Sequence, residues 1–228
     1  MQKRVLKVVI LLAMLATPLM AQSQIYAKLN TIYACMGIIN PQLEFVVGPH
    51  SSIVIDPTYS PWSSIKGKHF NFGILQNEYR FYIKREAQGF YVSANAGMQL
   101  FDMTRPYLFQ KVGNTRKFIT WEQGFGRGFG VMVGLGIGYT YRFKERWVLD
   151  AYFAFDRMWS WYNDYDANGK INMYPRHQKE PPYPDPFNGS AEWLPSKVGF
   201  AIGYMIFDPN KSKTRKSVAS KGEKAVKM

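Results

Sequence analysis

Cysteine is almost missing from this chain: Cys35 stands alone among 228 residues. A single thiol rules out an intramolecular disulfide framework and leaves Cys35 as a small strand residue. Histidine is nearly as scarce, at His50, His69 and His177, so imidazole chemistry has three places to sit. Acids number 16 against 29 Lys and Arg, a formal charge of +13. Past the first twenty or so positions no apolar run is long enough to cross a bilayer as a helix. Yet aromatic residues reach 16% while mean hydropathy is only −0.25. Hydrophobicity is therefore spread out, not gathered into blocks. Strands that give every second residue to lipid produce that profile, and membrane helices do not.

The beginning of the chain sets a compartment. Lys3, Arg4 and Lys7 precede and border an apolar stretch at 8–15, and Leu19-Met20-Ala21 reads as a cleavage site after Ala21. Residues 1–21 are expected to be a signal peptide, leaving Gln22 as the new terminus and about 207 of the 228 residues, a single domain's length. No Cys stands directly after the cleavage point, where Gln22 is, which argues against a lipoprotein. The +13 charge less those three cations is +10. A basic exported protein suits anionic neighbours such as lipopolysaccharide phosphates, and nucleic acid is implausible there.

Alternation organises the rest. Val131, Val133, Leu135, Ile137, Tyr139, Tyr141 and Phe143 are apolar or aromatic at every odd position, against Met132, Gly134, Gly136, Gly138, Thr140 and Arg142. The same parity resumes at Trp147, Leu149, Ala151, Phe153 and Phe155, with Asp150 and Asp156 on the other face. Val198, Phe200, Ile202, Tyr204 and Ile206 repeat it against Gly199, Ala201 and Gly203. Residues 27–35, 42–48, 53–59, 70–83 and 90–100 alternate less cleanly. Together these eight stretches predict an all-β fold over residues 22–207: an eight-stranded antiparallel up-and-down transmembrane β-barrel in the outer membrane. A soluble barrel of the lipocalin type would put the apolar face inside. The Gly-lined, charge-bearing second face and the aromatic strand ends favour the membrane version. Connections at 48–51, 84–88 and 144–146 are short; those at 36–41, 61–69, 102–127 and 163–196 are longer. Short turns belong in the periplasm and long loops outside, which puts both termini on the periplasmic side.

In this order the fragments resemble a known family. Lys28-Leu29-Asn30, Asn40-Pro41 with Glu44, Tyr59-Ser60-Pro61-Trp62, His69, Glu78-Tyr79-Arg80-Phe81, Gly136-Ile137-Gly138-Tyr139, Arg146-Trp147 and Lys197-Val198-Gly199 with Tyr204 are similar to the domain-of-unknown-function 3575 family of small Bacteroidetes barrels. The resemblance runs from Tyr26 to Phe207. It implies an outer-membrane protein, some members being encoded near surface-fimbria components. A Cys pair frequent in the family's last long loop has no counterpart here.

Candidate sites follow from parity and motif. The inward face is expected to hold Lys28, Arg80 and Arg142 beside Glu44, Asp56, Glu78, Asp150 and Asp156. Both signs in one narrow lumen read as a plug of ion pairs. Tyr139, Tyr141, Phe143, Trp147 and Tyr204 at one end, with Trp159 and Trp161 at the other, form the expected aromatic girdles. His69, with Ser60, Ser63 and Ser64 in its loop region, offers a base near a nucleophile, against the plainer account of a polar aromatic at a strand end. His50 falls in a turn and His177 in a loop. The glycines from Gly124 to Gly130 lack the strand-then-helix setting of a phosphate cradle. Asp164, Asp166, Asn168 and Gly169 match the first half of a calcium loop with Ile171 in the hydrophobic slot, but the twelfth position is Pro175, not Glu. At most a weak calcium site is expected, and no other cofactor. Pro175 to Phe187 is a Pro- and Tyr-rich extended segment, and 208–228 a basic, disordered periplasmic tail.

The expected function is a monomeric, non-enzymatic outer-membrane barrel with a structural or surface-interaction role, in contact with membrane lipid and lipopolysaccharide and open to a surface protein partner through its long loops. The resemblance adds a link to surface-fimbria assembly. A lipid-modifying enzyme and a narrow pore are the alternatives.

Overall fold

A computed structural model describes residues 24–85, 87–104, 106–112, 115–121, 124–166, 168–169 and 188–209. The signal peptide, all but the first two residues of the basic tail, Ile171, Pro175, His177 and the Pro- and Tyr-rich segment lie outside them.

The elements in order are β1 (Gln24–Asn30), α1 (Thr31–Cys35), β2 (Pro41–Val46), β3 (Ser51–Ser60), β4 (Ser64–Ile65), β5 (Lys68–Tyr82), β6 (Gly89–Met103), β7 (Pro106–Val112), β8 (Thr115–Trp121), β9 (Phe125–Arg142), β10 (Trp147–Tyr165) and β11 (Asn188–Phe207). All pairings are antiparallel. Following the hydrogen bonds, β1–β2–β3–β5–β6–β9–β10–β11 returns to β1, with Leu29 opposite Ile202 at the seam. The sheet therefore closes on itself as an eight-membered ring, a β-barrel. Its ninth strand, β4, is two residues long and folds back onto the start of β5. β7 and β8 form a separate hairpin.

Closure leaves no edge along the seam, and alternation decides what each face meets. Leu100, Leu135 and Ile83 on the outside are about 70% exposed. Among the described residues, buried polar and charged side chains outnumber buried apolar ones. The protein is apolar outside and polar within. Inward glycines make room for large lumen side chains: a Cβ at Gly138 would lie 2.4 Å from the Tyr91 hydroxyl, and one at Gly199 2.2 Å from the Tyr152 ring.

Two sequence expectations change. Residues 31–35 are not strand but the single turn α1. Asn30 Oδ1 accepts from the backbone N–H groups of Ile32 (3.0 Å) and Tyr33 (3.3 Å), an N-cap that turns the chain out of the wall. Gly37, at φ +69°, ends the turn. The long connections are also less loop than expected. The 61–69 stretch contains the β4–β5 hairpin, 102–127 contains β7 and β8, and β10 and β11 stay paired up to Tyr162 and Asn188. The alternation of ends holds: turns at 47–50, 83–88 and 143–146 share one end with the start of β1 and the finish of β11.

Candidate functional site

The middle of the ring is occupied by seven ionic side chains that alternate in sign. Glu44 Oε2 is 2.5 Å from Lys28 Nζ, and Lys28 Nζ is 2.7 Å from Asp150 Oδ2. Asp150 Oδ2 is 2.6 Å from Arg80 Nη1, and Arg80 Nε is 2.7 Å from Glu78 Oε2. Lys197 Nζ then bridges Glu78 and Asp56. All seven are buried. They come from β2, β1, β10, β5, β11 and β3, so the chain of charges ties six ring strands together. β6 and β9 join through Tyr91 Oη (3.0 Å) and Thr140 Oγ1 (3.3 Å), both donating to Asp150.

Neutral groups use much of the remaining capacity. Ser52 (2.5 Å) and Tyr82 (2.7 Å) donate to Glu44. Asn40 and Gln42 donate to Asp56, and Gln42 also to Tyr152 Oη at 2.7 Å. The Arg80 guanidinium lies 4.5 Å from the Tyr91 ring centroid, and Lys197 Nζ 4.7 Å from that of Tyr152. Tyr91 and Tyr152 reach these places across Gly138 and Gly199. Each buried cation in the chain is paired with carboxylates that accept further hydrogen bonds from their neighbours.

Six of the eight lumen charges expected from sequence meet in this network. Asp156 is buried but takes its hydrogen bonds from the amides of Gln76 (2.7 Å) and Asn95 (3.3 Å). Arg142 sits at the short-turn end of β9, where its Nη2 donates to Tyr26 Oη at 2.6 Å. Lys197 was not among the sequence candidates, though parity carries the signal, since it precedes outward Val198.

The aromatic residues collect at two levels. Trp147 lies 5.0 Å from Tyr204 and 6.4 Å from Phe143, and Tyr139 4.7 Å from Phe90, at the short-turn end with outward Tyr141. Trp161 stacks on Phe129 at 5.3 Å toward the other end, beside outward Trp159. Beyond Phe129 the outer face turns polar: Asn71, Asp102, Arg127 and Asn163 are consecutive cross-strand neighbours on β5, β6, β9 and β10.

His69 lies on this outer face, with Nδ1 2.8 Å from Asp102 Oδ1. Ser64 is directly opposite it in the β4–β5 pair. Ser60 turns inward and donates to Phe70 O at 2.6 Å, and Ser63 is exposed. His50 sits at the other end, its Nδ1 3.0 Å from Tyr82 O. Asp164 is a buried strand residue, while Asp166 Oδ1 accepts from Asn168 N at 2.8 Å, an Asx turn closed by Gly169 at φ +76°. Among the described residues no three His, Cys, Asp or Glu side chains are grouped as a metal site.

Fold and interior together define a small closed barrel with an ion-paired lumen. Residues 8–206 match the family described as Protein of unknown function (DUF3575), and the chain belongs to that family. No curated protein and no solved structure matches it.

Proposed function

We propose that this chain is an outer-membrane barrel that acts through its wall and its long-loop end and does not pass solute through its middle. The observation that supports this reading best is the pairing of an aliphatic outer face, bounded by aromatic residues, with an interior closed by the Glu44-to-Asp56 chain of charges. An outer face of that kind is costly in water and stable in lipid. An interior of that kind resists hydration because any break leaves a charge alone. The role is structural or interactive, held by a monomer in contact with lipid and lipopolysaccharide, with the long loops meeting surface partners. The tie to surface-fimbria assembly rests on the family resemblance.

The test is reconstitution. Chain refolded into lipid vesicles should resist carbonate extraction and show no steady conductance in planar bilayers. Extraction into the soluble fraction would refute membrane residence, and reproducible conductance steps would favour the pore.

A further inference from the structure

The outer wall above the Leu100–Phe129 row carries a group of side chains that the closed interior does not use. His69 is fixed there from several directions. Its backbone N–H donates to Thr104 Oγ1 (3.1 Å), and its carbonyl accepts from Thr104 N (2.9 Å). Its ring lies flat on Phe125, 3.8 Å between centroids at 6°, and Phe125 stacks in turn on Tyr165 at 4.8 Å. Asp102 Oδ1 takes the Nδ1–H, while Oδ2 is held by Arg127 Nη2 (2.6 Å) and Nε (3.0 Å). A carboxylate fixed on Nδ1 selects the tautomer whose lone pair is on Nε2, the form a general base needs.

A hydroxyl stands across from that base. Ser64 and His69 are direct partners in the β4–β5 hairpin. Directly opposed antiparallel residues put their side chains on the same face with Cβ atoms about 4.5–5.5 Å apart. The two-residue turn between them, Lys66 at φ +51° and Gly67 at φ +75°, has the twist that holds a hairpin in register. Ser64 is exposed and the His69 side chain is 36% exposed.

We propose that Ser64, His69 and Asp102 form an ester-hydrolysing site on the outer wall that takes acyl esters of anionic lipids. This goes beyond the function proposed above and rests on its placing of the wall in lipid. The lipid class follows from the surroundings: exposed Leu100 and Phe129 lie one row nearer the membrane to receive an acyl chain, and exposed Arg127 and Lys66 flank the site on its polar side. Ser64 Oγ attacks the ester carbonyl as its proton passes to His69 Nε2. The ester C–O bond breaks, and the departing alkoxide takes that proton. Water then repeats the relay: its proton goes to Nε2 and its oxygen to the acyl carbon, the acyl–Oγ bond breaks as Ser64 Oγ takes the proton from Nε2, and fatty acid and free Ser64 are released. Ser64 and His69 are the catalytic residues, and Asp102 is a positioning residue.

The test uses the full chain refolded in detergent micelles and a fluorophosphonate probe, which forms a stable adduct with an activated serine. Peptide mass spectrometry should place the adduct on Ser64. Ser64→Ala should abolish it, His69→Gln should slow it by about a hundredfold or more, and His50→Gln, at the opposite end, should label like the unaltered chain. Asp102→Asn should slow labelling and displace its pH profile, and Asp102→Glu should restore part of the rate; a packing role would leave the profile where it was. Hydrolysis of p-nitrophenyl palmitate in mixed micelles should follow the same order. No adduct on the folded chain, or an adduct that survives Ser64→Ala, would overturn the proposal. Micelle labelling is independent of vesicle insertion, so either result can fail without the other.

Discussion

Arg80 and Asp150 meet at 2.6 Å in the centre of the barrel although β5 and β10 lie three places apart around the ring. Their contact spans the lumen, not a strand pair, so it joins opposite parts of the wall. Together with the 3.9 Å approach of Arg80 Nη1 to Glu44 Oε2, it is the link between Lys28 and Glu44 on one side and Glu78, Lys197 and Asp56 on the other.

Removing that link should be the costliest single truncation in the lumen. Arg80→Ala leaves Asp150 and Glu78 short of a cation and should lower stability by about 3–5 kcal/mol. Arg142→Ala, which loses a hydrogen bond to Tyr26 at the barrel's end, should cost less, and outward Tyr139→Ala less than Arg80→Ala. Urea midpoints of the three refolded variants in detergent give the ranking, and an Arg142→Ala cost above that of Arg80→Ala would place the structural centre elsewhere.

The inward glycines make a second, sterically clean comparison. Tyr91 is held by Asp150 and lies against Arg80, so it cannot retreat from a methyl group at position 138. Gly138→Ala should destabilise the barrel by about 1–3 kcal/mol through overpacking. Gly73→Ala, where a Cβ would meet nothing within 4 Å, should be close to neutral. Thermal unfolding of the two variants reads the difference directly.

Orientation can be tested on single cysteines. In a Cys35→Ala background, Lys66→Cys at the tip of the β4–β5 hairpin should react with a membrane-impermeant maleimide on intact cells. Lys144→Cys, in the turn between β9 and β10, should react only after the membrane is broken. Reversed labelling would invert the assignment of long loops to the outside.

Asn30 offers a local test of the turn out of the wall. Asn30→Ala removes the acceptor for two backbone N–H groups and should cost about 1 kcal/mol, the usual worth of an N-cap. Asn30→Asp, which keeps the oxygens, should recover most of that in a urea titration.

Most of the wall was legible because a closed barrel imposes a period of two on each strand, here with apolar side chains outward and polar or small ones inward. Val131 to Phe143 shows this plainly, since its odd residues face outward and its even residues line the lumen. Legibility stopped where the outer face stops being apolar. Above Leu100 and Phe129 the outward positions become Asn71, Asp102, Arg127 and Asn163. Hydrophobicity then no longer alternates, although the backbone ladder continues. The strand extensions and the His69–Asp102 pair were lost to the same effect, with Asp102 read as loop. Thr31 to Cys35 failed for the opposite reason. Five residues of weak alternation look like strand, and only the Asn30 side chain, capping two N–H groups, decides for a turn. Lys197 needed one more step back along a parity already recognised from Val198 onward.

The seam between β1 and β11 has a kinetic consequence. Ile25 pairs with Phe207, so the first strand waits for the last, and Lys28 waits for Asp150 until most of the chain exists. Until that moment the nascent sheet has two raw edges and a half-built set of buried charges, both of them costly to leave unpaired. Assembly governed by such distant contacts is slow and close to all-or-none. A truncation anywhere in β11 should therefore yield no smaller barrel, only chains that never close and remain prey to proteases.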